Sequence, residues 1–140
     1  MPSKLVYALL CSDVLVDRES GSASFIRAFE HGIVRKLPAV VPPCYVATLW
    51  ESDPKMLEPF TLALTLISPS GEKQVLGKNE IQHTGAALQK VNFRLPGLNV
   101  TEQGRHTLVL AVKQGDTRSV AKELPLYVFL QPESGAQPGK

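Results

Sequence analysis

The sequence predicts a mainly β protein, a single antiparallel β-sandwich of roughly seven to nine strands. Thr61–Ile67 alternates small or polar with apolar side chains and ends at the turn sequence Ser68-Pro69-Ser70-Gly71. Arg105–Val112 places Leu108, Leu110 and Val112 on one face, as a half-buried strand does, and the turn sequence Gln114-Gly115-Asp116 follows. Short alternating runs separated by glycine and proline are typical of antiparallel sandwiches and barrels.

Length and composition favour one ordered domain. The chain has 140 residues, of which 44% are hydrophobic, so a core can form without a metal or a disulfide. We assign residues 1–130 to the sandwich domain and residues 131–140, which contain no large apolar side chain, to a flexible C-terminal tail. The net charge is only +2, and Arg35-Lys36 is the only adjacent basic pair, so nucleic acid is not an expected partner.

The first predicted strand is Leu5–Val16, bent or bulged near Ser12-Asp13, where the alternation slips. A glycine-bearing turn at residues 18–22 follows it. Ala23–Val34 also fits a helix, because Phe25, Phe29 and Ile33 would lie near one helical face. The preceding turn and the aromatic content favour a strand.

The middle of the chain contains a proline-rich connector and a central strand. Three prolines in Leu37–Pro43 remove three backbone donors, so this segment is predicted to be an extended connector or a covered edge. Cys44–Trp50 has apolar side chains on both faces and is predicted to be a central strand. A loop follows over residues 51–59.

Phe60–Ile67 is the clearest strand, and its hairpin partner is predicted at Lys73–Leu76, ending at Gly77. Residues 81–89 are not assigned. The remaining strands are Val91–Leu95, Gly104–Lys113 and Ser119–Leu130, with Pro125 predicted to mark a strand start or an edge. The predicted core consists of side chains that share a face at a spacing of two: Leu62, Leu64, Leu66, Leu108, Leu110, Val112, Leu126 and Val128.

No targeting or membrane segment is expected. The apolar run Leu5–Leu10 is short and has no cleavage site behind it. Without a secretion signal, Cys11 and Cys44 are predicted to be buried free thiols, which favours a cytoplasmic setting.

The sequence contains no motif for catalysis, metal or cofactor binding. His31, His83 and His106 are far apart, each without a second ligand at short spacing, and His106 is in register to face inward near a strand end. The acids around Asp53 lack the spacing of a calcium loop and indicate a solvated turn. The single tryptophan, Trp50, is predicted to fill the core rather than to stack on a sugar. We therefore predict no catalytic residues, no cofactor and no metal.

Several segments resemble a family of small bacterial proteins described only as a domain of unknown function. They are Tyr7–Asp13, Ser22–Ile26, the prolines before Tyr45–Trp50, Ser68–Glu72 and Val100–Leu108. The last segment is similar to an element of bacterial immunoglobulin-like modules, which usually carry an aromatic residue where this chain has His106. The resemblance implies an immunoglobulin-like sandwich and brings no known activity.

These observations favour a non-enzymatic module that acts through protein contacts, at a sheet edge or face, with a homodimer as one form of contact. The alternative is a module that binds a carbohydrate or another small molecule through loops at one end of the sandwich. A hydrolase whose groups converge only in space is the third reading.

Overall fold

A computed structural model describes residues 3–55, 58–82 and 84–131, and all regular structure in these ranges is β. The strands, in chain order, are β1 (Lys4–Val16), β2 (Ala23–Ala28), β3 (His31–Val34), β4 (Ala39–Val41), β5 (Cys44–Glu51), β6 (Phe60–Ile67), β7 (Lys73–Ile81), β8 (Leu88–Leu95), β9 (Leu98–Val100), β10 (Gly104–Gln114) and β11 (Thr117–Leu130). No helix in the described ranges is long and apolar enough to cross a membrane.

The strands form two large sheets and a small one. The first, which we call the β1 sheet, has the order β2-β1-β5-β8, and the second, the β10 sheet, has the order β3-β11-β10-β6-β7. β4 and β9 form a separate two-stranded ribbon. All pairings are antiparallel except that of β3 with β11, which is parallel.

The all-β prediction is confirmed, but the predicted number of strands is too low and the sheets are not wholly antiparallel. Eight strands were expected segment by segment, and three short ones add to them: β3, β4 and β9. Ala23–Val34 is extended, as predicted, but it is two strands rather than one. The Phe29 amide donates to the Leu10 carbonyl (2.9 Å), whereas the Glu30 carbonyl accepts from the Tyr127 amide (2.8 Å). The chain therefore crosses from one large sheet to the other between these residues.

β1 bends sharply after Cys11, close to the predicted position. Its pairing with β5 ends there, Ser12 has no registered partner, and Arg27 on β2 has a φ of 52°. Phe25 pairs with Val14, yet its ring lies 5.5 Å from that of Tyr7. In a straight strand, Val14 and Tyr7 would be about 23 Å apart.

The β1–β2 hairpin consequently folds back over the outer face of the β1 sheet. Lys90 on β8 donates to the Gly21 carbonyl at the tip of this hairpin. Ala47 points to the outer face, because its neighbours Val46 and Thr48 point inward, and it is nevertheless 0% exposed. The chain itself thus covers part of the outer face of the β1 sheet.

The inner faces of both large sheets contribute to one hydrophobic core. Seven of the eight predicted core residues are buried, and Val112 is half-buried against them. Trp50 of the β1 sheet contacts Phe60 of the β10 sheet at a ring distance of 5.4 Å. β5 lies between β1 and β8, which confirms the predicted central strand.

The structure confirms the turn predicted after β6 and corrects the predictions for β7 and Pro125. The Gly71 amide donates to the Ser68 carbonyl (2.9 Å), as the predicted turn requires. β7 does not end at Gly77 but continues to Ile81, because the register shifts by one residue opposite Leu64 and Thr65 and absorbs Leu76. Pro125 lies inside β11 rather than at its start. The pairing of β11 with β3 begins two residues later, at Tyr127, so the missing amide proton of Pro125 removes no hydrogen bond to β3. The predicted tail lies outside the described residues, except for Gln131.

Candidate functional site

His31 and His106, the two histidines in the described ranges, do not converge. His31 lies on β3, where its Nδ1 is 3.7 Å from Glu30 Oε1, whereas His106 lies on β10 and is buried, as predicted. His83 lies outside the described residues. Across the described ranges, no three His, Cys, Asp or Glu side chains come together to hold a metal ion.

His106 is the most unusual polar residue of the core. Its Nδ1 is 3.3 Å from the Gly104 carbonyl oxygen, and its Nε2 has no hydrogen-bond partner among the described residues. The ring borders a small cavity of about 120 Å³, together with Ser68 and Glu72 of the turn between β6 and β7, Asn99 on β9 and Thr101 just after β9. No hydrogen bond joins His106 to a serine or a carboxylate there, so the described geometry does not form a nucleophile–base pair.

Both cysteines are buried free thiols. Burial, and to a smaller extent the neighbouring Cys11, raises the pKa of the Cys44 thiol to about 11. Burial also raises the pKa of Cys11. A reactive cysteine requires a lowered pKa, so neither thiol has the environment of a nucleophile.

The other candidate residues have structural roles. Trp50 is 1% exposed, and its indole Nε1 donates to Thr48 Oγ1 (2.9 Å), which confirms it as a core residue. Asp53 Oδ1 accepts from the Lys55 amide (3.0 Å), as expected of a solvated turn. Ser70 Oγ donates to Glu102 Oε2, and this bond lowers the pKa of the Glu102 carboxyl.

A groove of about 560 Å³ lies between β3 and the proline-rich segment that contains β4. We call it the connector groove. Ile33 and Val34 line one side, Val40 and Pro42 line the other, and Arg35 and Lys36 border it where the chain passes between the two sides. Ile33 and Val40 are both exposed, so the apolar walls of the groove are open to solvent.

The outer edge of β3 has backbone groups that no strand of the described ranges pairs with. The carbonyls of Glu30 and Val34 accept from amides of Tyr127 and Gln131, at 2.8 and 2.7 Å. In a parallel pair, alternate residues direct both backbone groups to the same neighbour, so the even-numbered residues of β3 face β11. The amides and carbonyls of His31 and Ile33 therefore face the opposite side, where β3 is the last strand of its sheet.

Among the edge strands of the two large sheets, β3 differs in its lack of charged side chains. Proteins protect exposed edges with charged side chains and irregular backbone. β7 carries Lys73, Lys78 and Glu80, β8 carries Lys90, and β2 contains the positive φ of Arg27. β3 has the sequence His-Gly-Ile-Val, in which only His31 can become charged.

Aromatic side chains of β11 lie beside the same edge. The rings of Tyr127 and Phe129 are stacked, with centroids 6.1 Å apart, and the ring of His31 lies 6.3 Å from Phe129. Tyr127 and Phe129 are exposed, as is Ile33. Exposed aromatic residues beside an apolar groove are characteristic of surfaces that bind proteins.

Sequence reasoning predicted an interaction surface at a sheet edge or face, but it did not identify β3. The signal available was the polar interruption Glu30-His31-Gly32 within the apolar stretch Ala23–Val34, which separates two strands. The pairing partner of β3 is about a hundred residues later in the chain, and no local pattern indicates it.

Comparison with known proteins places the chain in a family. The model of DUF6941, described as a family of unknown function, matches residues 6–129. The chain belongs to this family. The resemblance noted in the sequence to a domain of unknown function is thereby confirmed.

Other comparisons add no function to the DUF6941 assignment. No curated protein matches the chain. Among solved structures, a β-glucosidase from Listeria innocua in complex with gluconolactone is similar with a TM-score of 0.43 and 11% sequence identity. The alignment covers 89% of this chain but only 16% of the enzyme chain. At that identity and TM-score, the likeness indicates nothing about the activity of this chain.

Proposed function

We propose that this DUF6941 protein is a non-enzymatic, immunoglobulin-like β-sandwich module that binds an extended segment of another protein along β3. The observation that carries the proposal is the backbone edge of His31 and Ile33, which no described strand pairs with, beside the connector groove. An added strand would bond to these main-chain groups and place alternate side chains in the groove.

The dimensions support a short segment. The four residues of β3 span about 13 Å, enough to pair with roughly four residues of a partner. The walls formed by Ile33, Val40 and Pro42 would receive an apolar side chain. The exposed ring of Phe129 extends the apolar surface beyond the groove.

The charges favour an acidic segment. Arg35 and Lys36 border the groove, and neither has an ion-pair partner among the described residues. A carboxylate on the partner would neutralise them, although solvent exposure limits each such pair to about 1 kcal/mol or less. Main-chain pairing and apolar contact would therefore provide most of the affinity, and the acidic residue would select the register.

Photo-cross-linking tests the proposal in the source cell. A photoreactive amino acid at Val40 should cross-link an extended, acid-containing segment of a partner, which mass spectrometry would identify and which can then be synthesised as a peptide. We expect Ile33→Pro to weaken binding of that peptide by at least about tenfold, because proline removes the outward amide proton. Ile33→Ala, which retains the amide, should weaken it less.

Equal binding by Ile33→Pro and the unmodified protein would contradict the proposal. So would cross-links confined to folded, globular surfaces. Sedimentation velocity tests whether a second copy of the chain occupies the β3 edge. If the protein is a dimer and Ile33→Pro dissociates it, the occupant is a second copy that associates across a two-fold axis, not a different protein.

Small-molecule binding by loops at one end is the alternative function. The cavity beside His106 favours it, because the His106 Nε2, which has no partner among the described residues, meets polar side chains of the β6–β7 turn and of β9 there. Its volume of about 120 Å³ is below the roughly 300–1,000 Å³ of ordinary ligand pockets, so the edge of β3 is better supported.

The setting we propose is the bacterial cytoplasm, with no nucleic acid or membrane as partner. Two buried free thiols with a raised pKa are compatible with a reducing compartment. The resemblance to small bacterial proteins supports the bacterial origin.

A further inference from the structure

We propose a second binding site, for a small amphipathic anion, on the outer face of the β10 sheet. It is a hollow of about 450 Å³ formed across β6, β7, β10 and β11, and we call it the cationic hollow. It lies on a different surface from the connector groove, shares no lining residue with it and does not depend on the function proposed above.

Small and apolar side chains form the floor of the cationic hollow. Ala63 and Ala111 lie opposite each other on β6 and β10, and Val120 lies opposite Ala111 on β11. Val120 is 58% exposed, and Val75 on the same face is 69% exposed. The floor therefore presents apolar surface to solvent at Val120.

Three cationic side chains line the hollow: Lys78, Lys113 and Arg118. None of them has a carboxylate within ion-pair distance among the described residues, and the lining of the hollow contains no acidic residue. Lys113 also borders a neighbouring cleft that includes Glu58 and Glu80. Lys78 and Arg118 are therefore the two cations best placed to bind an added anion.

Two register irregularities shape this part of the sheet. The β10–β11 pairing shifts between Leu110 and Ala111, and the β6–β7 pairing shifts between Leu64 and Thr65. An extra residue in one strand bends and twists it locally. The hollow lies beside both shifts, so its concave form follows from how the strands pair.

The two large sheets differ in how their outer faces are covered. The β1–β2 hairpin covers part of the β1 sheet, where Ala47 is buried, whereas no described segment lies over Val75 or Val120. A ligand for the uncovered face needs an apolar body to contact the floor and an anionic head to reach the cations. A carboxylate on a medium-length alkyl chain has this chemistry and a suitable size.

Titration with decanoate, below its micellar concentration, tests the site. We expect saturable binding by calorimetry, with shifts in the amide NMR signals of Ala63, Ala111 and Val120. Decanol, which lacks the charge, and acetate, which lacks the chain, should each bind at least about tenfold more weakly. Lys78→Gln and Arg118→Gln should each weaken decanoate binding about two- to fivefold, as expected of exposed charge pairs.

Lys73→Gln is the matched control, because Lys73 is an exposed lysine at the other end of β7 and does not line the hollow. It should bind decanoate as the unmodified protein does. The proposal is overturned if decanol binds as tightly as decanoate, or if the shifted signals lie elsewhere. Absence of saturable decanoate binding would overturn it, and so would equal affinity for a polyglutamate peptide, which would indicate a protein-docking face instead.

Discussion

At the scale of single residues, the centre of β10 shows how the core is built. Leu110 is fully buried, pairs with Leu64 on β6, and belongs to the cluster that joins both large sheets. Removing a buried leucine side chain loses its transfer free energy and leaves a cavity that the neighbouring strands cannot close.

We expect Leu110→Ala to lower the free energy of unfolding by about 2–5 kcal/mol, measured by urea denaturation. Val75→Ala is the control, because Val75 is 69% exposed and its truncation should cost about 1 kcal/mol or less. Equal losses for the two variants would show that Leu110 is not a core residue.

The buried thiol of Cys44 makes the stability of the folded protein depend on pH. Its thiol has a pKa raised from 9.0 to about 11, so the folded protein retains a proton that the unfolded chain releases between these values. The folded state binds more protons in that window, so stability that is present below pH 9 is lost as the pH rises toward 11.

We expect Cys44→Ala to flatten this decline, because alanine has no proton to release. Denaturation of both proteins from pH 8 to 11 measures the difference, with Cys11 present in each so that its own raised pKa cancels. Curves for the two proteins that remain parallel across the window would contradict the assignment.

At the scale of elements, the β10–β11 hairpin depends on one glycine. Its two-residue loop is Gly115-Asp116, between paired Gln114 and Thr117, and Gly115 has a φ of 60°. A side chain at this φ costs about 1–2 kcal/mol, and a Cβ here would lie 2.8 Å from Glu58 Oε1. The exposed Glu58 carboxylate can move away, so the backbone strain is the larger effect.

We therefore expect Gly115→Ala to destabilise the protein by about 1–2 kcal/mol in thermal or urea unfolding. Gly32→Ala is the control, because Gly32 has no positive φ and has open space where a Cβ would be added. It should be neutral or slightly stabilising. A Gly115→Ala variant as stable as Gly32→Ala would contradict the strained turn.

At the scale of the whole molecule, alternation and turn chemistry predict most of the fold. They identify β5, β6 and β10, the core leucines and the burial of Trp50, because each of these depends on neighbours two residues away. They do not identify β4 and β9, since three residues are too few to establish a period. They also miss the parallel pairing of β3 with β11, which depends on contacts distant in sequence.

The candidate site, too, was predicted where it depends on local sequence and missed where it depends on contacts distant in sequence. The proline-rich connector was predicted from composition, and it forms one wall of the connector groove. The other wall exists only because the chain leaves the β1 sheet after β2 and pairs with β11 as β3. The polar residues around His31 allow this crossing but do not specify it. The cationic hollow was not predicted, because its cations come from three separate strands.

The parallel pairing of β3 with β11 also has a consequence for synthesis on the ribosome. β3 is made early, yet the strand that holds it is completed only at Leu130. Translation proceeds from the N-terminus, so a nascent chain contains the connector and β3 long before β11 can fix them in place. The proposed binding edge thus becomes available only after nearly the whole domain has emerged, and an incomplete chain would not present it to a partner.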